Sequence, residues 1–105
     1  MQGFAALADP TRRRIVEMLA TRELAAGEIA RRFDMTPPSV SQHLRLLRDA
    51  GLVRVRRDAQ RRIYALDPSG LAELDEWLGR FRRFWAGRLD TLERELESPD
   101  PRRTR

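Results

Sequence analysis

Apolar residues return at helical spacing over most of the chain. The first clear segment, about 10 to 21, opens at Asp9-Pro10: the carboxylate accepts from free N–H groups of the first turn, and proline sits where its missing donor costs nothing. Ile15, Met18 and Leu19, with Leu7 ahead of them, make one buried stripe and leave Arg12, Arg13 and Glu17 largely outside. Phe4 and Leu7 predict a short leading helix. A second segment, about 25 to 33, puts Ala26, Ile29, Ala30 and Phe33 on one face and ends at Asp34, a residue that tolerates left-handed backbone. The turn Asp34-Met35-Thr36 follows, with Thr36 as N-cap and Pro37 as the first helical residue. The helix after it turns Val40, Leu44 and Leu47 inward until Ala50-Gly51 stops it.

After Gly51 the period changes to two. Val53 and Val55 alternate with Arg54 and Arg56, and a second strand, Arg61 to Leu66, follows the turn Asp58-Ala59-Gln60. Pro68 and Ser69 open a last helix whose Leu71, Leu74, Leu78, Phe81, Trp85, Leu89, Leu92 and Leu96 step by three or four for about seven turns, with Trp77 and Phe84 widening the stripe. A stripe that broad exceeds what one small domain buries, so part of it is expected to face a second subunit. The pattern predicts a mainly α fold with a small β-hairpin: a winged helix-turn-helix, dimeric, with a long C-terminal dimerisation helix. Residues 1–97 form its single DNA-binding and dimerisation domain, and the Pro- and Arg-containing tail 98–105 is expected to be disordered.

Composition narrows the chemistry. The 105 residues carry a formal net charge of +5, and all 21 basic residues are arginine. Such a chain favours a polyanionic partner, although a GC-rich genome also replaces lysine by arginine. The absence of cysteine removes disulfides and thiolate metal sites, and fits a reducing cytoplasm. No apolar run reaches a membrane span and the N-terminus does not read as a signal peptide, so a soluble cytoplasmic protein is expected, without membrane contact. No cofactor or metal is expected, and no nucleophile stands beside a base as hydrolases need. Glu73, Asp75 and Glu76 read as an acidic first turn of the last helix, complementing its dipole.

A short turn between two helices, followed at once by an Arg-rich hairpin, describes a unit that reads double-stranded DNA. With Val40, Leu44 and Leu47 inward, the opposite face of the second helix carries Pro38, Gln42, Arg45 and Asp49, flanked by Ser39 and Ser41. Gln42 is the best base reader, since its amide pairs in bidentate fashion with adenine, while the serine hydroxyls suit bases or phosphates. Arg45, a turn beyond the end that penetrates deepest, is assigned to phosphate. Thr36 and the free N–H groups beside it offer an anion site. Pro38 either touches a thymine methyl or only initiates the helix. His43, the one histidine, packs or makes a secondary DNA contact, because a lone histidine completes no zinc site. In the hairpin, Arg56, Arg57, Arg61 and Arg62 surround the tip with Gln60. They contact phosphates or the minor groove, or else are charges that keep a solvated strand edge from aggregating.

Four stretches together resemble the ArsR family of bacterial repressors: Phe4-Ala5-Ala6-Leu7-Ala8-Asp9-Pro10-Thr11-Arg12-Arg13-Arg14-Ile15, Glu28-Ile29-Ala30, Ser39-Val40-Ser41-Gln42-His43-Leu44 and Ala50-Gly51-Leu52-Val53. The likeness spans about residues 4 to 67. It implies a homodimer with Ser41 and Gln42 facing DNA, joined through the first and last helices. The interface residues this implies are Phe4, Leu7, Leu74, Trp77, Leu78, Phe81, Trp85, Leu89 and Leu92. Metal-sensing members carry a Glu-Leu-Cys-x-Cys pattern, whereas Glu23-Leu24 is followed here by Ala25, Ala26 and Gly27. Members that sense metals through Asp and His use their final helices, and this final helix has no histidine. The resemblance is therefore to a cysteine-free subgroup, and metal sensing is not expected. An unknown small-molecule effector remains open, with the aromatic cluster of the last helix as either its pocket or the dimer interface. The competing function is a winged helix that binds another protein and no specific DNA.

Overall fold

In the computed structural model, residues 2–97 are described; the tail proposed at 98–105 lies outside them. The elements run α1 (Gln2–Ala6), α2 (Pro10–Thr21), β1 (Leu24–Ala25), α3 (Ala26–Arg32), α4 (Pro37–Asp49), β2 (Val53–Asp58), β3 (Arg61–Leu66) and α5 (Pro68–Glu97). They form two compact units, one running through Leu74 and the other beginning at Asp75.

In the first unit the three-helix core closes on a small antiparallel sheet of order β1-β3-β2. Ile15 of α2, Ile29 of α3, Leu44 and Leu47 of α4 and Leu52 are fully buried, so the helical stripes read from the sequence converge on one centre. β1 was not foreseen. At two residues it is too short to show alternation, and it exists because Leu24 and Ala25 pair with Tyr64 and Ile63 of β3.

The caps explain where the helices begin and end. Asp9 accepts from the Arg12 amide at 3.0 Å, which holds its carboxyl below the ordinary Asp range. Asp67 repeats the device for α5, accepting from the Ser69 amide at 3.0 Å and the Ser69 hydroxyl at 2.7 Å. It replaces the acidic first turn expected from Glu73, Asp75 and Glu76, which lie beyond the first turn of a helix that starts at Pro68. α4 ends in a Schellman motif: the Leu52 amide donates to Leu47 O at 3.0 Å, the Gly51 amide donates to Arg48 O at 2.9 Å, and Gly51 adopts φ +79°. Asp34 does not take the left-handed conformation expected of it; among the described residues Ala59, at φ +57° in the hairpin turn, is the one non-glycine that does. Arg12, read as outward, folds back: its Nε donates to Ala6 O at 2.6 Å, while Arg13 donates to Leu7 O at 2.9 Å. These guanidinium groups satisfy carbonyls left open at the end of α1.

The N-terminus of α5 is seated on the α4 turn through backbone. The Asp67 amide donates to Leu52 O at 2.9 Å, and Gly70 passes so close to Gly51 that a β-carbon there would overlap the Gly51 carbonyl oxygen. Glycine at 70 is thus required for close approach rather than for backbone freedom.

Candidate nucleic-acid interface

α3, the turn through Phe33 to Thr36, and α4 make a helix-turn-helix, with β2 and β3 as its wing. Thr36 caps α4, its hydroxyl accepting from the Ser39 amide at 3.4 Å. With Val40, Leu44 and Leu47 locked in the core, Pro38, Ser39, Ser41, Gln42 and Arg45 are exposed, as the angular assignment predicts. A groove of about 520 Å³ runs along this face, lined by Pro38, Ser41, Gln42, Arg45 and Arg48 of α4 and closed by Arg62 and Tyr64 of β3. Arg48 was missed. Its signal was available: residues 38, 41, 45 and 48 step by three, four and three and so form one ridge along the helix edge.

Register sorts the wing arginines into two classes. Arg57 stands opposite Arg62, Val55 opposite Tyr64 and Val53 opposite Leu66. Residues facing one another across a ladder share a face, so the apolar face that packs on the core becomes basic toward the tip, at Arg57 and Arg62. Arg56 and Arg61 belong to the other face. There Arg56 meets Glu23 at 2.8 Å and Arg61 meets Glu28 at 3.1 Å. Glu28 also accepts from the Ala25 amide at 3.1 Å, the main reason its carboxyl lies below the ordinary Glu range, with Arg22 and Arg61 adding to it. Arg45, Arg48, Arg57 and Arg62 have no carboxylate partner among the described residues. By type the wing arginines are alike; tertiary pairing gives Arg56 and Arg61 carboxylate partners and leaves Arg57 and Arg62, on the opposite face, without one among the described residues.

The remaining assigned residues fall in different places. His43 is not in the groove: its Nδ1 lies 3.4 Å from Arg12 Nη1 and 3.9 Å from an Asp9 carboxylate oxygen, at the start of α2. Gln60 lines a separate depression with Gly27, Glu28, Arg31 and Arg61. Of the residues assigned to an interface, Leu74 is core: it is buried, with its side chain against Gly3. Leu7 is half-buried on the same cluster and Phe4 is exposed.

In the second unit α5 carries Trp77, Leu78, Phe81, Trp85, Leu89 and Leu92 exposed, Leu89 at 59%. Trp77 and Phe81 meet in a tilted pair at 4.4 Å between ring centroids, Phe84 and Trp85 meet edge to face at 5.2 Å, and the Arg88 guanidinium covers the Phe84 ring at 4.3 Å. Arg80–Glu76 and Arg82–Asp75 ion pairs, at 3.6 and 3.5 Å, run along this helix.

Comparison with known proteins agrees with this arrangement. The profile of a helix-turn-helix domain family matches residues 7–56. The chain is 52% identical over 80 residues to an HTH-type transcriptional regulator of Mycobacterium tuberculosis, covering 76% of this chain and 75% of that one. It is 36% identical to the transcriptional repressor SdpR of Bacillus subtilis (74% and 87% covered) and 37% identical to the transcriptional activator HlyU of Vibrio cholerae (71% and 69%). A solved ArsR-family transcriptional regulator superimposes with a TM-score of 0.74 at 32% identity, over 81% of this chain and 93% of that one. The homodimeric winged helix-turn-helix DNA-binding domain of a possible ArsR-family regulator from Mycobacterium bovis superimposes with a TM-score of 0.64 at 29% identity, over 78% and 76%. The chain belongs to the ArsR family of winged helix-turn-helix, DNA-binding transcriptional regulators.

Proposed function

We propose that the protein is a homodimeric repressor acting in the cytoplasm, in which two copies of α4 enter successive major grooves of a pseudo-palindromic operator and block polymerase access to a promoter. The observation that carries this reading is the groove between α4 and the wing, where Gln42 lies among guanidinium groups of Arg45, Arg48 and Arg62 that no carboxylate of the described residues neutralises. Gln42 reads a base. Pro38, Ser39 and Ser41 flank it, and Arg45, Arg57 and Arg62 hold phosphates. Thr36, His43 and Gln60 take secondary places at the edges of the contact, as does Arg61, which is paired with Glu28 and so adds no unbalanced charge there.

Residues 1–97 act as one DNA-binding and dimerisation domain. The exposed stripe of α5 supports dimerisation through Trp77, Leu78, Phe81, Trp85, Leu89 and Leu92, with Phe4 and Leu7 of the first unit contributing. Repression is the simpler outcome, since occlusion of a promoter needs no contact beyond operator binding; relatives of similar identity include both a repressor and an activator. The signal is not a thiolate-bound metal, because the chain has no cysteine.

Fluorescence anisotropy against duplexes tiled across the DNA upstream of the gene, over a salt series with random competitor, tests the reading. Tight binding to one pseudo-palindromic tile, weakening steeply with salt, is the expected result. Gln42→Ala should then lose about 1–3 kcal/mol of discrimination at one position of each half-site. Equal loss on every duplex would remove Gln42 as a base reader.

A further inference from the structure

The floor of the groove holds a group that neither the core nor the base-reading face requires. Tyr64 lies on the central strand β3, its backbone paired with Leu24 on one side and Val55 on the other. Only 5% of the residue is exposed, and its ring belongs to the core. Its hydroxyl nevertheless has no hydrogen-bond partner among the described residues and is not sealed from solvent, and the residue lines the groove. Open to the groove and engaged by no protein group of the described residues, the hydroxyl is free to donate to whatever the groove receives. A phenylalanine would fill the same core space.

We infer that the Tyr64 hydroxyl, Arg48 and Arg62 form a phosphate seat between the recognition helix and the wing, occupied by a backbone phosphodiester of bound DNA. This rests on the DNA-binding reading above. The phenol donates one hydrogen bond and the two guanidinium groups donate several more, all toward an acceptor carrying negative charge. Arg48 comes from the C-terminal half of α4 and Arg62 from β3, so one phosphate held by both fixes the helix and the wing to the same point of the backbone. Such a contact positions Gln42 over its base without reading sequence itself. Free phosphate and phosphorylated small molecules present the same chemistry.

Tyr64→Phe removes only the hydroxyl and is expected to melt like the parent. Arg48→Gln, at an exposed position, provides a second variant. A duplex selected by the wild-type protein from a random-sequence pool serves as probe, with a neutral methylphosphonate placed at each phosphate in turn. Tyr64→Phe should weaken this duplex and random DNA by the same factor, roughly tenfold, with no change in salt slope, whereas Arg48→Gln should flatten the slope. At one phosphate per half-site the methylphosphonate should cost the wild type about tenfold and Tyr64→Phe at least about threefold less, the signature of coupled groups. A parallel titration with inorganic phosphate, without DNA, separates the sources: saturable binding lost in Tyr64→Phe, with no coupled position on the duplex, assigns the seat to a free phosphoryl group. Selection of no duplex from the pool would defeat the DNA-binding reading alone, and the phosphate titration would still decide the seat. No coupled phosphate and no hydroxyl-dependent phosphate binding overturns the proposal.

Discussion

The difference in pairing between the two faces of the wing near its tip makes a quantitative prediction about Arg62 and Arg61. The two are sequence neighbours of the same type, and both are exposed. Arg62 opens into the groove without a carboxylate partner, whereas Arg61 lies 3.1 Å from Glu28. A guanidinium that neutralises a DNA phosphate releases counterions, and the logarithm of the binding constant falls with log salt by about 0.9 per phosphate. Two copies of Arg62 in a dimer thus contribute about 1.8 to the slope. Between 50 and 200 mM salt this amounts to roughly a tenfold difference in how much affinity is lost, so Arg62→Ala should bind far more weakly than wild type at low salt and converge on it as salt rises. Arg61→Ala removes a charge already balanced inside the protein and leaves Glu28 beside Arg22, at 3.8 Å, and the Ala25 amide. Its slope should stay near that of wild type. Anisotropy titrations of the three proteins at four or more salt concentrations measure both quantities. Equal slopes for the two variants, or a greater change for Arg61→Ala, would refute the assignment by pairing.

The remaining predictions concern stability and assembly. In Gly70→Ala the new β-carbon would overlap the Gly51 carbonyl group and lie 3.3 Å from the Leu52 amide nitrogen, all of it backbone that cannot rotate away. A loss of about 1–3 kcal/mol or more, seen as a fall in Tm of at least about 4 °C, is expected by thermal melting, and an unchanged Tm would mean that the α5 seat is loose. Trp85→Arg places a charge in the α5 stripe and should shift sedimentation toward monomer; an undiminished dimer would exclude Trp85 as an anchor. Asp9 and Asp67 both have carboxyl groups held below the ordinary value of 3.8, Asp9 chiefly by the Arg12 amide and Asp67 chiefly by the Ser69 hydroxyl. A carboxyl lowered in the folded state stabilises fully well above that value, and the contribution disappears as pH falls through the lowered one. Asp9→Asn and Asp67→Asn should therefore cost stability near neutrality and narrow the gap to wild type in acid, as followed by denaturant midpoints; a gap independent of pH would point to a cause other than charge.

Much was legible from the sequence because its signals are local. The stripes of α2, α3 and α4, the Asp9-Pro10 start, the Gly51 stop and the alternation of β2 arise within a turn or two of chain, where periodicity and capping chemistry act. The exposed face of α4 followed from its buried face by rotation alone, and with it Ser41, Gln42 and Arg45. Pairings across long separations in the chain were another matter. Strand β1 depends on register with β3, about forty residues away, and Leu74 counts as core because Gly3 receives it. Sequence alone places His43 between packing and a secondary DNA contact; that the Asp9 and Arg12 side chains at the start of α2 lie beside it is decided by the fold. Arg61 and Arg62 are indistinguishable by type and position; only the fold brings Glu28 to one and sets the other in a groove with Tyr64 and Arg48. Sequence determines which side chains a segment presents, since that depends on backbone period, but which charges remain unpaired depends on what other segments bring within a few ångströms, and tertiary structure alone decides that.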